Sequence, residues 1–346
     1  MPLGKIAGAG GTLAPHGDRN DVTKLLQPPE WAHHKAVWIG FPSHPELWGD
    51  DLEPAREEVA AFAAAVHAGG QGEHVLLVAA DAEAGEAAEK LAPFAEVVVQ
   101  PFGDIWLRDT GVIMVGRHQA RHFRFNGWGG KYDLPGDDDI GERLAIYQGN
   151  IAVTDCDWVL EGGAIDGDGT GLAVTTEQCL LNRNRNPGLS RADIEARLHA
   201  DLGFAQVLWL GEGLLNDHTD GHVDNLARFV GPGRLAIPEA GDNDPNWLVY
   251  QRAAERARAF GSEIELVRLP SPGRIIRDDE IVPASYMNFY IGNAAVVVPQ
   301  YGAPDDAAAV AAIAALFPGR RVVGQRADHI LTGGGSFHCI SQQIPG

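Results

Sequence analysis

Residues 226–268 read LARFVGPGRLAIPEAGDNDPNWLVYQRAAERARAFGSEIELVR. An apolar strand or hairpin opens at Leu226–Val230. A stretch of helical length over Asn246–Phe260 follows, with an Asn able to cap its first turn, and the brief β-rich run Glu263–Arg268 closes the unit. The same order of hairpin, helix and strand recurs from Ala36 onward. The other helices are predicted over Glu53–His67, Ile140–Gln148, Ser190–Ala200 and Asp305–Phe317, and the other closing strands over His74–Ala79, Ile151–Thr154, Ala205–Leu210 and Arg321–Gly324. A further helix over Glu83–Leu91 makes the first unit irregular. One such unit cannot bury both of its faces alone, so five are expected to pack radially about a pseudo-fivefold axis, with the C-terminal segment joining the N-terminal strand to close the ring. The expected fold class is α/β, a five-bladed pseudo-symmetric propeller of repeated β-hairpin–helix–strand units.

That architecture predicts one domain over residues 1–346 with no linker. Residues 1–25 have turn composition without periodicity and are expected to form a mobile lead-in. Gly8–Gly11 lacks the preceding strand and following helix that a phosphate-binding loop requires.

The 346 residues include 47 acidic and 27 basic side chains, a formal charge of −20. A surplus of that size opposes binding to nucleic acid and to anionic lipid, and favours cationic ligands. With 45% hydrophobic and 21% charged residues the composition is that of a globular chain. No apolar run approaches the ~20 residues of a membrane span and no export signal opens the sequence, so a cytoplasmic location is expected. Three cysteines, Cys156, Cys179 and Cys339, are too few for a disulfide framework.

One polar motif stands at the start of each unit: Trp106-Leu107-Arg108-Asp109, Glu161-Gly162-Gly163, His222-Val223-Asp224-Asn225, Ser285-Tyr286-Met287-Asn288, and Gly333 to Cys339. Asp109 precedes Glu161 by 52 residues, Glu161 precedes His222 by 61, His222 precedes Asn288 by 66, and Asn288 precedes Cys339 by 51. That is the spacing of a central site to which every unit contributes. His222 and Asp224, two apart on an expected strand leading into Leu226–Val230, would share a face. Cys339 follows three glycines and adjoins His338, whereas Cys156 and Cys179 have no such neighbours and read as buried structural thiols. One Cys, one His and three carboxylates suit nucleophilic substitution at a guanidinium carbon. Two carboxylates grip the planar cation by charge-assisted hydrogen bonds and leave its carbon open to a thiolate.

The chain resembles the agmatine deiminases and bacterial-type peptidylarginine deiminases of the guanidine-modifying superfamily. The resemblance runs from Pro28-Pro29-Glu30-Trp31 through Trp106–Gly111, Phe125–Gly130, Glu161–Gly163 and Gly221–Asn225 to Gly333–Pro345. It implies Cys339 as nucleophile, His222 as general acid and base, Asp109 and Asp224 as the guanidinium clamp, and Glu161 orienting His222 or a guanidinium nitrogen. It implies Trp106 in the pocket wall, Asn288 and Trp128 lining it, no metal and no organic cofactor, and it leaves room for a homodimer. One position departs from the pattern: Asp166 stands where the family has His, which is expected to alter the surroundings of Glu161.

Two other readings use the same residues. The alternating His218, Asp220, His222 and Asp224 would, on one face of a strand, ligate a divalent metal in a hydrolase. The run Asp166 to Glu177 satisfies much of a calcium-loop spacing, although strand-like flanks make it a Gly-rich hairpin turn. Agmatine, free arginine and peptidylarginine remain as substrates. Agmatine is preferred for its second positive charge; a carboxylate-bearing substrate would need a cation, for which Arg124 and Lys131 are the nearest candidates.

Overall fold

A computed structural model describes residues 25–346; the expected lead-in, apart from Leu25, and the Gly8–Gly11 segment lie outside it. The fold is mixed α/β. Five sheets repeat one pattern, in which a short strand pairs antiparallel with a second, and the second pairs parallel with a third across a helix. A parallel pair cannot be joined by a tight turn, which is why each unit carries a crossover helix.

The first sheet orders Ser341–Pro345, His34–Gly40, His74–Ala79 and Glu96–Val99. Its extra strand is delivered by the extra helix, Ala82–Leu91. The C-terminal strand joins the N-terminal one as expected, with Ser341 opposite Ile39 and Gln342 opposite Trp38. The remaining sheets combine Ile113–Met114, Gln119–Arg124 and Ala152–Val159; Ile165–Gly167, Leu172–Thr175 and Gln206–Trp209; Arg228–Gly231, Arg234–Glu239 and Glu265–Pro270; and Tyr290–Ile291, Ala295–Gln300 and Arg321–Arg326. A small hairpin, Ile276–Arg277 with Glu280–Ile281, stands apart.

The crossover helices follow local rules. Ser190 caps Arg191–Leu202 in a reciprocal box with Asp193, and Gly203 ends it at φ +81°, where a Cβ would lie 1.9 Å from the Leu25 carbonyl oxygen. Leu52–His67 buries Ala55, Val59, Phe62, Ala63 and Val66, a stripe of helical period. Phe62 stacks on Phe337 with centroids 4.6 Å apart, so this helix also braces the segment that carries Cys339. Ala152–Val159 runs past the expected Ile151–Thr154: the exposed, polar Asp155 still pairs with His122, and the buried Val159 pairs with Arg124 after a register shift. No helix among the described residues is long and apolar enough to cross a membrane.

Candidate active site

The polar motifs do not sit in hairpins. Each occupies a short turn that runs into the first strand of a sheet: Asp109 in the helical turn Leu107–Thr110, Glu161 at the head of the 3-10 turn Gly162–Ala164, His222 at the head of Val223–Asn225, Asn288 at the end of Tyr286–Asn288, and Cys339 two residues before Ser341–Pro345. His222 and Asp224 are therefore not alternate residues of a strand. Positive φ at Asp220 (+63°) and Gly221 (+82°) breaks the extended run, and the strand begins only at Arg228. Turns of this kind can aim neighbouring side chains inward from one short segment, where a strand turns only every second one to a given face.

Cys339 is held by Asn288, whose Nδ2 donates to Sγ at 2.9 Å and whose Oδ1 accepts from the Cys339 and His338 amides at 3.2 and 2.9 Å. Sγ lies 3.4 Å from Asp224 Oδ2. Asp109 is fixed by donors on both oxygens, Trp128 Nε1 and the Gly163 amide, each at 2.9 Å, and its Oδ1 is 3.7 Å from His222 Nδ1. Asp224 Oδ1, Glu161 Oε2 and both ring nitrogens of His222 are buried without a hydrogen-bond partner. Buried polar atoms are nearly always partnered, so such a concentration marks a place built for something else.

Glu161 does not bond to His222. Its Oε1 accepts from Arg185 Nε at 2.6 Å, and Arg185 in turn donates to Asp220 and to the Thr219 carbonyl. A carboxylate oxygen of Glu161, a ring nitrogen of His222 and the Cys179 thiol nevertheless lie within 4.8 Å of one another. Cys179 is buried as expected, but it belongs to the surroundings of the site, a proximity invisible in its own neighbours in the sequence.

A second buried network lies behind the first. His338 spans two carboxylates, Asp224 at 2.8 Å and Glu30 at 2.9 Å; Glu30 pairs with Arg228, which also donates to the Phe289 carbonyl and to Asp166. Asp166 accepts from the Phe229 amide at 2.6 Å, so the departure from the family pattern bears on Arg228 and not on Glu161. Sequence reasoning passed over Glu30, Arg185 and Arg228 as site residues; Glu30 stood within a quoted motif, the only signal it offered.

The electrostatics follow from burial and charge. Burial raises the Asp109 carboxyl, with the Asp224 and Glu161 charges adding to it against His222 and the Trp128 hydrogen bond. Burial would raise Asp224 too, but its bond to His338 and the charges of His338, His222 and Arg228 hold it below the usual carboxylate range. Burial works to lower His222, and Asp109 with the Cys179 contact overrides it and raises the imidazole well above its ordinary value. The Cys339 thiol is pushed well up by burial and then by Asp224 and Asp109. A cation seated between the two carboxylates would reverse that last effect.

Above Cys339 opens a cavity of about 200 Å³, lined by Asp104, Trp106, Asp109, Trp128, Tyr132, His218 and the glycines 333–335, among others. Among the described residues, no Lys or Arg lines it. Lys131 is tied to Asp220 at 2.7 Å and to the His218 carbonyl, and Arg124 lines a separate surface depression, so neither candidate cation reaches the pocket. At the outer part Asp104 accepts from Trp48 Nε1 and Trp106 Nε1.

The alternative ligand sets do not converge. His218 Nδ1 meets the Tyr132 hydroxyl, Asp220 is spent on Lys131 and Arg185, and Asp224 faces His338, so the four alternating residues form no common site. In the other run, Asp168 is satisfied by Thr170, Leu172 and Gly233, Asp166 by Arg228 and Phe229, and Glu177 by Arg191, Arg256 and Gly211. The segment is the turn of an antiparallel hairpin, and its carboxylates point to different neighbours.

Comparison with known proteins gives the family. The agmatine deiminase of Stutzerimonas stutzeri is 38% identical over 92% of this chain and 95% of its own. Among solved structures, the agmatine deiminase of Enterococcus faecalis superposes with a TM-score of 0.87 at 30% identity, covering 93% of this chain and 96% of that one. A C. jejuni agmatine deiminase variant with substrate bound superposes at 0.84 and 29% identity, covering 92% and 96%. A family model, Porphyromonas-type peptidyl-arginine deiminase, matches residues 26–345, nearly everything the structure describes, and to that family the chain belongs.

Proposed function

We propose that the protein is an agmatine deiminase, converting agmatine and water to N-carbamoylputrescine and ammonia. The observation that carries this reading is Asp224, with Oδ1 buried and unpartnered and Oδ2 3.4 Å from Cys339 Sγ, beside a pocket lined by carboxylates, aromatics and Cys339, with no Lys or Arg among its described lining residues. Asp109 and Asp224 clamp the guanidinium. As its charge enters, the two carboxylates stop opposing ionisation of Cys339, whose proton leaves to solvent, and the thiolate forms where it is needed. Sulfur adds to the guanidinium carbon, ammonia leaves with a proton from His222, and a thiouronium remains on Cys339. Water gives one proton to His222 and attacks the same carbon; the C–S bond breaks, the remaining hydroxyl proton passes to the released Cys339 thiolate, and the neutral ureido product departs. Asn288 keeps the sulfur in place, Trp106 and Trp128 wall the pocket, and Glu161 sets the charge around His222.

Agmatine is favoured over arginine and peptidylarginine because its tail is an ammonium, which meets Asp104 and the indole and phenol faces and needs no cationic partner. The test compares kcat/KM for agmatine, free arginine and an arginine peptide on one preparation, with ammonia and the carbamoyl product both measured. Agmatine is expected to lead by at least tenfold. Parity or reversal would overturn the substrate assignment, and activity lost to EDTA and restored by zinc or manganese would favour a metal hydrolase.

For the whole chain, we propose that the five sheets close into a five-bladed propeller within one domain, a reading supported by their repeated topology and by the pairing of the two terminal strands. The three free cysteines accord with a reducing, cytoplasmic setting. A homodimer belongs to the same reading, to be checked by the mass in solution.

A further inference from the structure

The deimination chemistry gives Cys179 no role, although its thiol faces the general acid. We propose that Glu161, Cys179 and His222 form a binding site for zinc, and that zinc held there inhibits the enzyme by withdrawing His222 from proton transfer.

The donors are a thiol, an imidazole and a carboxylate, the mixed set that suits zinc better than magnesium or calcium. Their ligand atoms lie within 4.8 Å of one another, and all three residues are fully buried. Tetrahedral contact at about 2.0–2.3 Å brings donors to roughly 3.5 Å apart, so closure asks for shifts of about 1 Å. Two of the donors are unspent. Arg185 occupies Glu161 Oε1 and leaves Oε2 without a partner, while neither ring nitrogen of His222 makes a hydrogen bond. Arg185 also fixes the Glu161 carboxylate in place, the supporting contact a metal-binding carboxylate ordinarily has. Asp109 lines the open cavity and stands 3.7 Å from His222 Nδ1, which makes the substrate pocket the way in.

The other thiols are excluded by position. Cys339 is bonded to Asn288 and faces Asp224, and Cys156 lies in a strand of the second sheet. Binding exchanges protons only: zinc displaces the thiol proton of Cys179 and any proton on the ligating nitrogen of His222, and nothing is oxidised or reduced. The site itself stands on geometry, whereas its inhibitory consequence rests on the deiminase reading and on the role of His222 in it.

Cobalt(II), a spectroscopic stand-in for zinc, tests the site without turnover. In the full-length Cys339→Ser protein, one equivalent of cobalt is expected to produce a thiolate-to-metal charge-transfer band that one equivalent of zinc abolishes. Adding Cys179→Ser should remove the band, and adding Cys156→Ser should leave it, with circular dichroism confirming that each variant is folded. A band that survives Cys179→Ser, or none in the parent, would overturn the site. In the enzyme with Cys339 intact, zinc should inhibit agmatine turnover reversibly by EDTA, and Cys179→Ser should raise the half-inhibiting zinc concentration at least tenfold relative to each protein's own metal-free rate. Equal sensitivity would overturn the inhibitory role. Absence of turnover before any metal is added would instead sink the deiminase reading and leave the cobalt result standing.

Discussion

At Cys339 the burial and the two carboxylates that raise the thiol also define what the proposed mechanism requires on binding: a cation arrives before the sulfur ionises. Cys339→Ser is expected to abolish ammonia release while circular dichroism and the melting temperature stay near those of the parent, since a hydroxyl is a far weaker nucleophile at neutral pH. In the proposed mechanism Asp109 and Asp224 act on the substrate itself. Leaving a guanidinium half neutralised in a buried pocket costs about 3–5 kcal/mol, roughly two to four decades in rate. Asp109→Asn and Asp224→Asn should each lower kcat/KM for agmatine by that amount, and a loss below tenfold in both would remove the clamp from the mechanism. These residues could be found in the sequence because each unit repeats one polar motif at a regular spacing. Glu30, Arg185 and Arg228 could not, since what distinguishes them is a partner 198 residues away, as for Glu30 and Arg228, or a burial no local pattern reports.

The helices were the most readable elements, because capping and length are local: Arg191–Leu202 begins one residue after the Ser expected to open it. The turns bearing the site were harder to read. Their residues, such as Gly221-His222-Val223-Asp224, alternate polar and apolar like a strand, and only the positive φ at Asp220 and Gly221 separates the two readings. The turn Gly162–Ala164 shows how closely these segments pack. A Cβ on Gly163 would meet His222 Nδ1 at 2.7 Å, Asp109 Oδ1 at 2.8 Å and Asp224 Oδ2 at 3.0 Å. Gly163→Ala is therefore expected to reduce kcat/KM at least tenfold by spreading three site residues at once, with a stability cost of only about 1–3 kcal/mol by thermal melting. Unchanged kinetics would show that the turn yields freely.

Stability of the whole molecule should bear the mark of Asp137, whose carboxyl burial pushes up to about 7 against hydrogen bonds from the Gly103 and Asp104 amides. A group raised in this way stabilises the fold fully below its unfolded value near 3.8, and that contribution drains away as pH rises toward about 7. Asp137→Asn should accordingly gain in melting temperature relative to the parent between pH 4 and pH 8. A difference that stays constant with pH would assign the ionisation elsewhere.

The pairing of Ser341 with Ile39 joins positions about 300 residues apart, two residues beyond Cys339. Contacts that distant are slow to form, because the chain between them must lose its freedom before they repay it. Cys339, the proposed nucleophile, is thus seated by one of the longest loop closures among the described residues. In refolding, helices and individual sheets can be native while the protein is still inert, and catalytic competence marks the moment when the two ends of the described chain have met.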